Sequence, residues 1–352
     1  MRLSVPYNRK PATPTRRGTV EPYALLIIIV AATLLYELAN GWNDAANSIA
    51  TIVSTRVLSP LVAVGWAAFW NFVAAFALGT AVAKTIGKGL VRLDAINQYT
   101  LVCALAGAVL WTAACTYMGL PISVSHSLMG GLGGAAIAKA GAAALIPSGW
   151  LMPVVFMVLS PLIGLVVGFL LMVVVSHLTW NKSPHRVDRW SRRLQLVSAA
   201  AYSLGHGTND AQKGMGIITA GLVTAGVLKE YEVPLWVILS CHAAIAGGTL
   251  LGGWRVIKTM GQRITKLKPA GGFCAETAGA LTLLTTAAAG IPVSTTHTIT
   301  GAIMGVGSVQ RLSAVRWGVA GRIVWAWILT IPVSGLVAAL CFWGLHRMFP
   351  TA

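Results

Sequence analysis

Two aspartates with matching surroundings carry the chemistry of this 352-residue chain. Asp44 and Asp210 each stand in the phrase Asn-Asp-Ala, and each copy lies inside a long apolar stretch. A second phrase follows each copy: Pro121-Ile122-Ser123-Val124-Ser125-His126-Ser127, then Pro292-Val293-Ser294-Thr295-Thr296-His297-Thr298. The copies lie 166 residues apart for the first phrase and 171 for the second, so order and spacing are kept. A charged side chain at the bilayer centre costs about 2.5–3.5 kcal/mol on insertion scales. Acids kept at matching places of a duplicated apolar chain point to a membrane transporter whose site lies between its halves.

The acids are few. Of nine Asp and Glu, only Glu37, Asp44, Asp210 and Glu276 lie in or against apolar segments. Such groups either pair with intramembrane bases, chiefly Lys213, Lys84 and the histidines, or receive cations. Asn43, Asp44 and Asn47 in one half, and Asn209, Asp210 and Gln212 in the other, offer a set of oxygens, with Glu276 as a further cation-binding candidate. Hard cations such as sodium want oxygen, whereas transition metals want nitrogen and sulfur. Asp44 and Asp210 are therefore expected to take either sodium, with no transition metal, or a proton on each Asp, and the sequence does not separate the two. Asn40–Asp44 and Gly205–Asp210 are rich in weak helix formers. An unwound turn is expected at each, since free carbonyls at membrane depth are tolerated only where they line a cavity or bind something.

The Pro–Ser/Thr–His phrases read as helix starts: the prolines stop what precedes them, and the hydroxyls suit N-cap and first-turn positions. A helix start offers free N–H groups and a positive dipole end, which suit an anion. Ser123, Ser125, His126, Ser127, Ser294, Thr295, Thr296, His297 and Thr298 are the candidate anion-binding residues. Two such ends converging from inverted halves could surround a tetrahedral oxyanion with donors.

The elements that must position these residues are membrane helices. The chain is 56% apolar and only 10% charged, with a mean hydropathy of +0.74; a soluble protein carries about a quarter charged residues. Its apolar runs reach the roughly 20 residues that a spanning helix needs. The expected fold is an all-α polytopic membrane protein of two inverted-topology repeats, with broken or re-entrant helices and about 10–12 membrane helical segments. The expected units are a basic disordered tail over 1–22, a first repeat over 23–177, a basic inter-repeat loop over 178–198 and a second repeat over 199–352. The net charge of +17 falls in the tail and connections, as the cytoplasmic-side bias and contact with membrane lipid require, and no interleaved motif accompanies it to suggest nucleic acid. Five cysteines at unrelated spacings read as small buried hydrophobes.

Gly41-Trp42-Asn43-Asp44-Ala45-Ala46-Asn47-Ser48-Ile49-Ala50-Thr51 and Gly205-His206-Gly207-Thr208-Asn209-Asp210-Ala211-Gln212-Lys213 resemble the paired signatures of the inorganic phosphate transporter family, and Ile291–His297 is similar to its second-half phrase. The resemblance runs from about Tyr23 to the C-terminus. It implies a secondary transporter that takes up inorganic phosphate with sodium or protons by alternating access, with no cofactor. Asp44, Asp210 and their amide neighbours would then hold the cations, and the hydroxyls and N–H groups of 123–127 and 294–298 would hold phosphate. Two departures stand out: Ile122 and Val124 replace hydroxyl residues of the family's first-half phrase, and Gly214 stands where Thr commonly follows Gln-Lys. Sulfate has phosphate's shape, so a sulfate permease of the same family is the alternative; arsenate is a further candidate ligand. The remaining expectations are a multi-pass place in the cell membrane, the bacterial inner membrane, and a homodimer as an option. An intramembrane hydrolase is the remote alternative, but no nucleophile elbow or zinc-ligand pair supports an enzyme.

Overall fold

A computed structural model describes residues 22–77, 79–92, 95–291 and 293–348. The tail expected over 1–22, together with Glu21, Asp94 and Pro292, falls almost wholly outside the described residues. Twelve α-helices make up the described chain. They are α1 Pro22–Ser54, α2 Pro60–Val73, α3 Ala81–Gly89, α4 Gln98–Met118, α5 Val124–Ala140, α6 Pro147–Leu178, α7 Pro184–Thr224, α8 Leu235–Leu251, α9 Trp254–Lys258, α10 Pro269–Ala288, α11 Thr295–Ser308 and α12 Trp317–Met348. Beyond one isolated bridge between Val91 and Leu145, no strand pairing occurs among the described residues. The all-α membrane fold is thus the one expected.

Four helices, from Ala24–Ser54, Gln98–Met118, Pro147–Leu178 and Trp317–Met348, are long and apolar enough to cross a membrane. The pair α8 and Trp254–Arg263 makes a fifth if its 64° bend is counted within one span. The long α6 shows why water is the wrong solvent: Leu151, Met152, Val154, Val155, Val158 and Leu162 all face outward. With no polar solvent inside a bilayer, helices satisfy every backbone group internally.

The two duplicated Asn-Asp phrases are not unwound. α1 runs unbroken through Asn40–Asp44, and α7 runs unbroken through Gly205–Asp210. Their glycines serve close packing instead: a Cβ on Gly41 would press into the Ile245 carbonyl of α8, and one on Gly207 would meet Asn71 O of α2 at 2.6 Å. The break that does occur lies at Gly252 and Gly253, between α8 and α9. The basic stretch expected as a loop over 178–198 is helical from Pro184 onward, so only 179–183 lie between α6 and α7.

The halves exchange partners. α6 packs along α11, and α12 packs along α5, so each short helix that starts at a Ser/His phrase is backed by the long helix of the other half. Small residues allow it. Added Cβ atoms at Gly301 and Gly305 would press into the carbonyls of Pro161 and Leu165, and one at Gly134 into that of Gly335. α1 packs against α8, α4 and α7, and α7 packs against α10.

Candidate functional site

Helical spacing gathers the polar residues. On α1, Asn40, Asp44, Asn47 and Thr51 recur every three or four residues and share one face; on α7, His206, Asp210 and Lys213 do the same. The two faces meet, and both aspartates are only 1% exposed. The starts of α5 and α11 complete the enclosure. Ser123 Oγ accepts from His126 N at 3.3 Å and Ser294 Oγ from His297 N at 3.2 Å, so both phrases are N-capped helix starts as expected.

The centre is a hydroxyl between two acids. Thr295 Oγ1 lies 3.1 Å from Asp44 Oδ2 and 3.2 Å from Asp210 Oδ2. Thr296 Oγ1 lies 3.0 Å from Asp44 Oδ1 and 2.8 Å from the Ile122 carbonyl, and accepts from Asn47 Nδ2 at 2.9 Å. Lys213 Nζ donates to Asp210 Oδ1 at 2.5 Å and to Ser125 Oγ, with Val293 O at 3.4 Å. His206 Nε2 faces both acids, 3.6 Å from Asp44 Oδ2 and 3.4 Å from Asp210 Oδ2. Asn71 fixes the tautomer: its Nδ2 donates to Thr249 Oγ1 at 2.9 Å, so its Oδ1 must accept from His206 Nδ1 at 3.0 Å. With Nδ1–H held by Asn71, a neutral His206 would turn an Nε2 lone pair toward both carboxylates, whereas an imidazolium would donate to them.

Seven of the expected residues thus meet or flank this cluster: Asp44, Asn47, Asp210, Ser125, Thr295, Thr296 and, through an adjacent bond to Thr116 Oγ1 at 2.7 Å, Asn43. Among the described residues, Asn43 Oδ1, Asn47 Oδ1, both amide atoms of Asn209 and Ser127 Oγ are buried without a hydrogen-bond partner. Buried polar atoms are ordinarily paired, so these are groups that a ligand could satisfy. His126 and His297 sit ring to ring, centroids 5.0 Å apart. His297 stacks on Trp327 and donates from Nδ1 to Met157 O at 3.1 Å, and neither imidazole bonds to the aspartates among the described residues.

Three expected residues are engaged elsewhere. Gln212 Oε1 accepts from Val82 N at 2.8 Å and Ala83 N at 3.2 Å, closing the start of α3. The Thr298 hydroxyl donates to Ser294 O one turn back. Glu276 forms its own buried centre, accepting from Thr51 at 2.5 Å, Ser198 at 2.6 Å and Gln195 Nε2 at 3.0 Å. Sequence reasoning missed His206 as a site residue and took Lys213 only as a candidate ion-pair partner. Their spacing from Asp210, four and three residues, is the signal of a shared helical face, hidden by the expectation that the turn was unwound. Ligand atoms of Asp44, His206 and Asp210 all lie within 4.8 Å of one another, close enough to share one cation; the imidazole makes this triad less purely oxygen than the expected set.

A paired-acid centre at two converging helix starts, inside an exchanged two-repeat bundle, invites comparison with known carriers. The model of the phosphate transporter family matches residues 40–338. A probable low-affinity inorganic phosphate transporter of Rhizobium meliloti is 52% identical over 91% of this chain and 96% of its own length. One of Bacillus subtilis is 40% identical over 92% and 98%. The chain belongs to the phosphate transporter family.

The solved structure of a sodium-dependent phosphate transporter superposes with a TM-score of 0.85 at 26% identity, over 93% of this chain and all of that one. The transporter's family match spans both duplicated phrases and both halves of the Asp44–Asp210 centre. Phosphate transport, not catalysis, is the family's function, and the spanning helices place the transporter in a membrane.

Proposed function

We propose that the transporter takes up inorganic phosphate across the cell membrane, the bacterial inner membrane, by symport with sodium or protons, alternating access about the Asp44–Asp210 centre. The observation that carries this reading is Thr295 Oγ1 between the two carboxylates. A hydroxyl has one proton and can donate to one of them only; the other contact sets a lone pair against a buried negative charge and calls for a positive one. The structural neighbour is a sodium-dependent transporter, which makes sodium the first candidate. Phosphate would then lie at the starts of α5 and α11, where backbone N–H groups, Ser125, Ser127 and His126 are the donors at hand. Because the acids are buried, substrate reaches them only if helices move. The tight α6–α11 and α5–α12 pairs are the natural rigid units.

The test is radiolabelled phosphate uptake into proteoliposomes holding the purified protein, with sodium and pH gradients imposed separately and sulfate and arsenate as competitors. Phosphate accumulation driven by one gradient supports the reading. Sulfate entry without phosphate entry under either gradient refutes it.

A further inference from the structure

The 166- and 171-residue offsets, continued through the site, pair Asn47 with Lys213 and Thr296 with Ser125. The structure repeats one contact at both places: Asn47 Nδ2 donates to Thr296 Oγ1, and Lys213 Nζ donates to Ser125 Oγ. A second contact repeats with the same offsets. Tyr36 OH donates to Val124 O at 3.4 Å and Tyr202 OH to Thr295 O at 3.1 Å. The two halves of the centre therefore share these contacts and differ in charge at 47 and 213, where a neutral amide in the first half becomes an ammonium in the second; the same offsets set Asn40 against His206 and Val124 against Thr295.

The charges follow that difference. Around Lys213 Nζ stand Asp210 Oδ1, Ser125 Oγ and Val293 O, three oxygens for its three protons. Asp44 has no such partner: the nitrogen base nearest it is His206, which it shares with Asp210. Beside Asp44, the Oδ1 atoms of Asn43 and Asn47 are buried and unpaired, and the hydroxyls of Thr295 and Thr296 stand within 3.1 Å. A buried carboxylate needs a counter-charge. Asp210 carries its own, whereas Asp44 is surrounded by the neutral oxygens that would complete the shell of an arriving one.

We propose that Lys213 is a tethered cation filling one of two equivalent cation positions, so that only the Asp44 position takes a mobile cation. The transporter consequently couples one cation fewer per phosphate than it would with asparagine at 213. This rests on the symport reading above, but its test does not depend on that reading alone.

The experiment compares wild type, Lys213→Asn and Lys213→Met in full-length purified protein. Equilibrium binding of radioactive sodium in detergent, with phosphate present, counts the sodium ions per chain. Lys213→Asn, which copies Asn47, should bind one more sodium than wild type. Lys213→Met, which vacates the position without adding a ligand of its own, should bind sodium there more weakly than Lys213→Asn. In proteoliposomes the ratio of coupled sodium to phosphate should rise by one in Lys213→Asn. Equal sodium counts in wild type and Lys213→Asn overturn the proposal. A wild type that moves phosphate with no linked sodium or proton flux refutes the symport reading, while the binding count still decides the role of Lys213.

Discussion

Replacing Thr295 with valine removes the central hydroxyl with little change of shape, and its consequence is calculable. Thr295 Oγ1 makes two contacts with carboxylate oxygens, at 3.1 and 3.2 Å. Its single proton stabilises one acid, and its lone pairs are available to whatever cation sits by the other. A hydrogen bond to a charged group contributes about 1.5–3 kcal/mol. At about 1.4 kcal/mol per tenfold, losing it should raise the cation concentration for half-maximal phosphate uptake roughly 10- to 140-fold. The rate at saturating cation should largely recover, because the helix start that positions phosphate is capped by Ser294 and not by Thr295. The assay is the initial rate of phosphate uptake into proteoliposomes across a range of sodium and, separately, of proton concentrations. Thr298→Val is the matched control: its hydroxyl serves only the Ser294 carbonyl of its own helix, so cation dependence should not move. If Thr295→Val changes apparent phosphate affinity alone, or if Thr298→Val reproduces its cation shift, the assignment of Thr295 to the cation is wrong.

Asp210→Asn strands Lys213 as a buried, unpaired charge and should cost about 3–5 kcal/mol, read as a large drop in melting temperature in detergent. Adding Lys213→Met should restore most of that temperature without restoring coupled uptake. Glu276→Gln should lower the melting temperature more than Glu37→Gln. Glu276 accepts three donors within 3.0 Å, whereas Glu37 accepts one backbone N–H at 2.8 Å and a weak contact from Asn40 at 3.4 Å, so an amide there opposes fewer donors. Gly301→Val should abolish folded yield, since its Cβ presses into the Pro161 carbonyl and overpacking costs about 1–3 kcal/mol or more. Gly318→Val, with open space around it, should leave size-exclusion behaviour unchanged.

The repeat was visible in the sequence because two phrases recur at nearly constant offset, and the membrane class because 10% charged residues leaves little else. Helix starts at Ser123 and Ser294 were equally legible from proline and hydroxyl spacing. What could not be read was tertiary context. Glycines at 41 and 207 look like helix breakers in isolation, yet each marks a place where another helix's backbone approaches, and only the fold distinguishes the two uses. Gln212 looked like a cation ligand because it neighbours Asp210 in sequence, but its side chain points away to the start of α3. Glu276 belongs with Thr51 and Ser198 for the same reason: a polar residue on a helix takes its partners from whichever face the packing gives it. Lys213 was weighed only as a structural ion pair, although it is also a residue at which the two halves differ in charge.

Buried charge is the physical basis of the proposed symport. Carboxylate oxygens of Asp44 and Asp210 lie within 4.8 Å of each other, where two unit charges repel by about 3.5 kcal/mol at an effective dielectric of 20. Lys213 answers one of the two acids, which leaves the centre with a net single negative charge when His206 is neutral. A phosphate anion arriving at the starts of α5 and α11 adds at least one more. The helix dipoles contribute only about half a charge each, and no further base stands within bonding distance of Asp44 among the described residues except the shared imidazole. With His206 neutral, anion entry deepens that deficit, whereas one monovalent cation at the Asp44 position cancels it. In the proposed symport, a cation bound at the Asp44 position therefore makes the centre better for the anion.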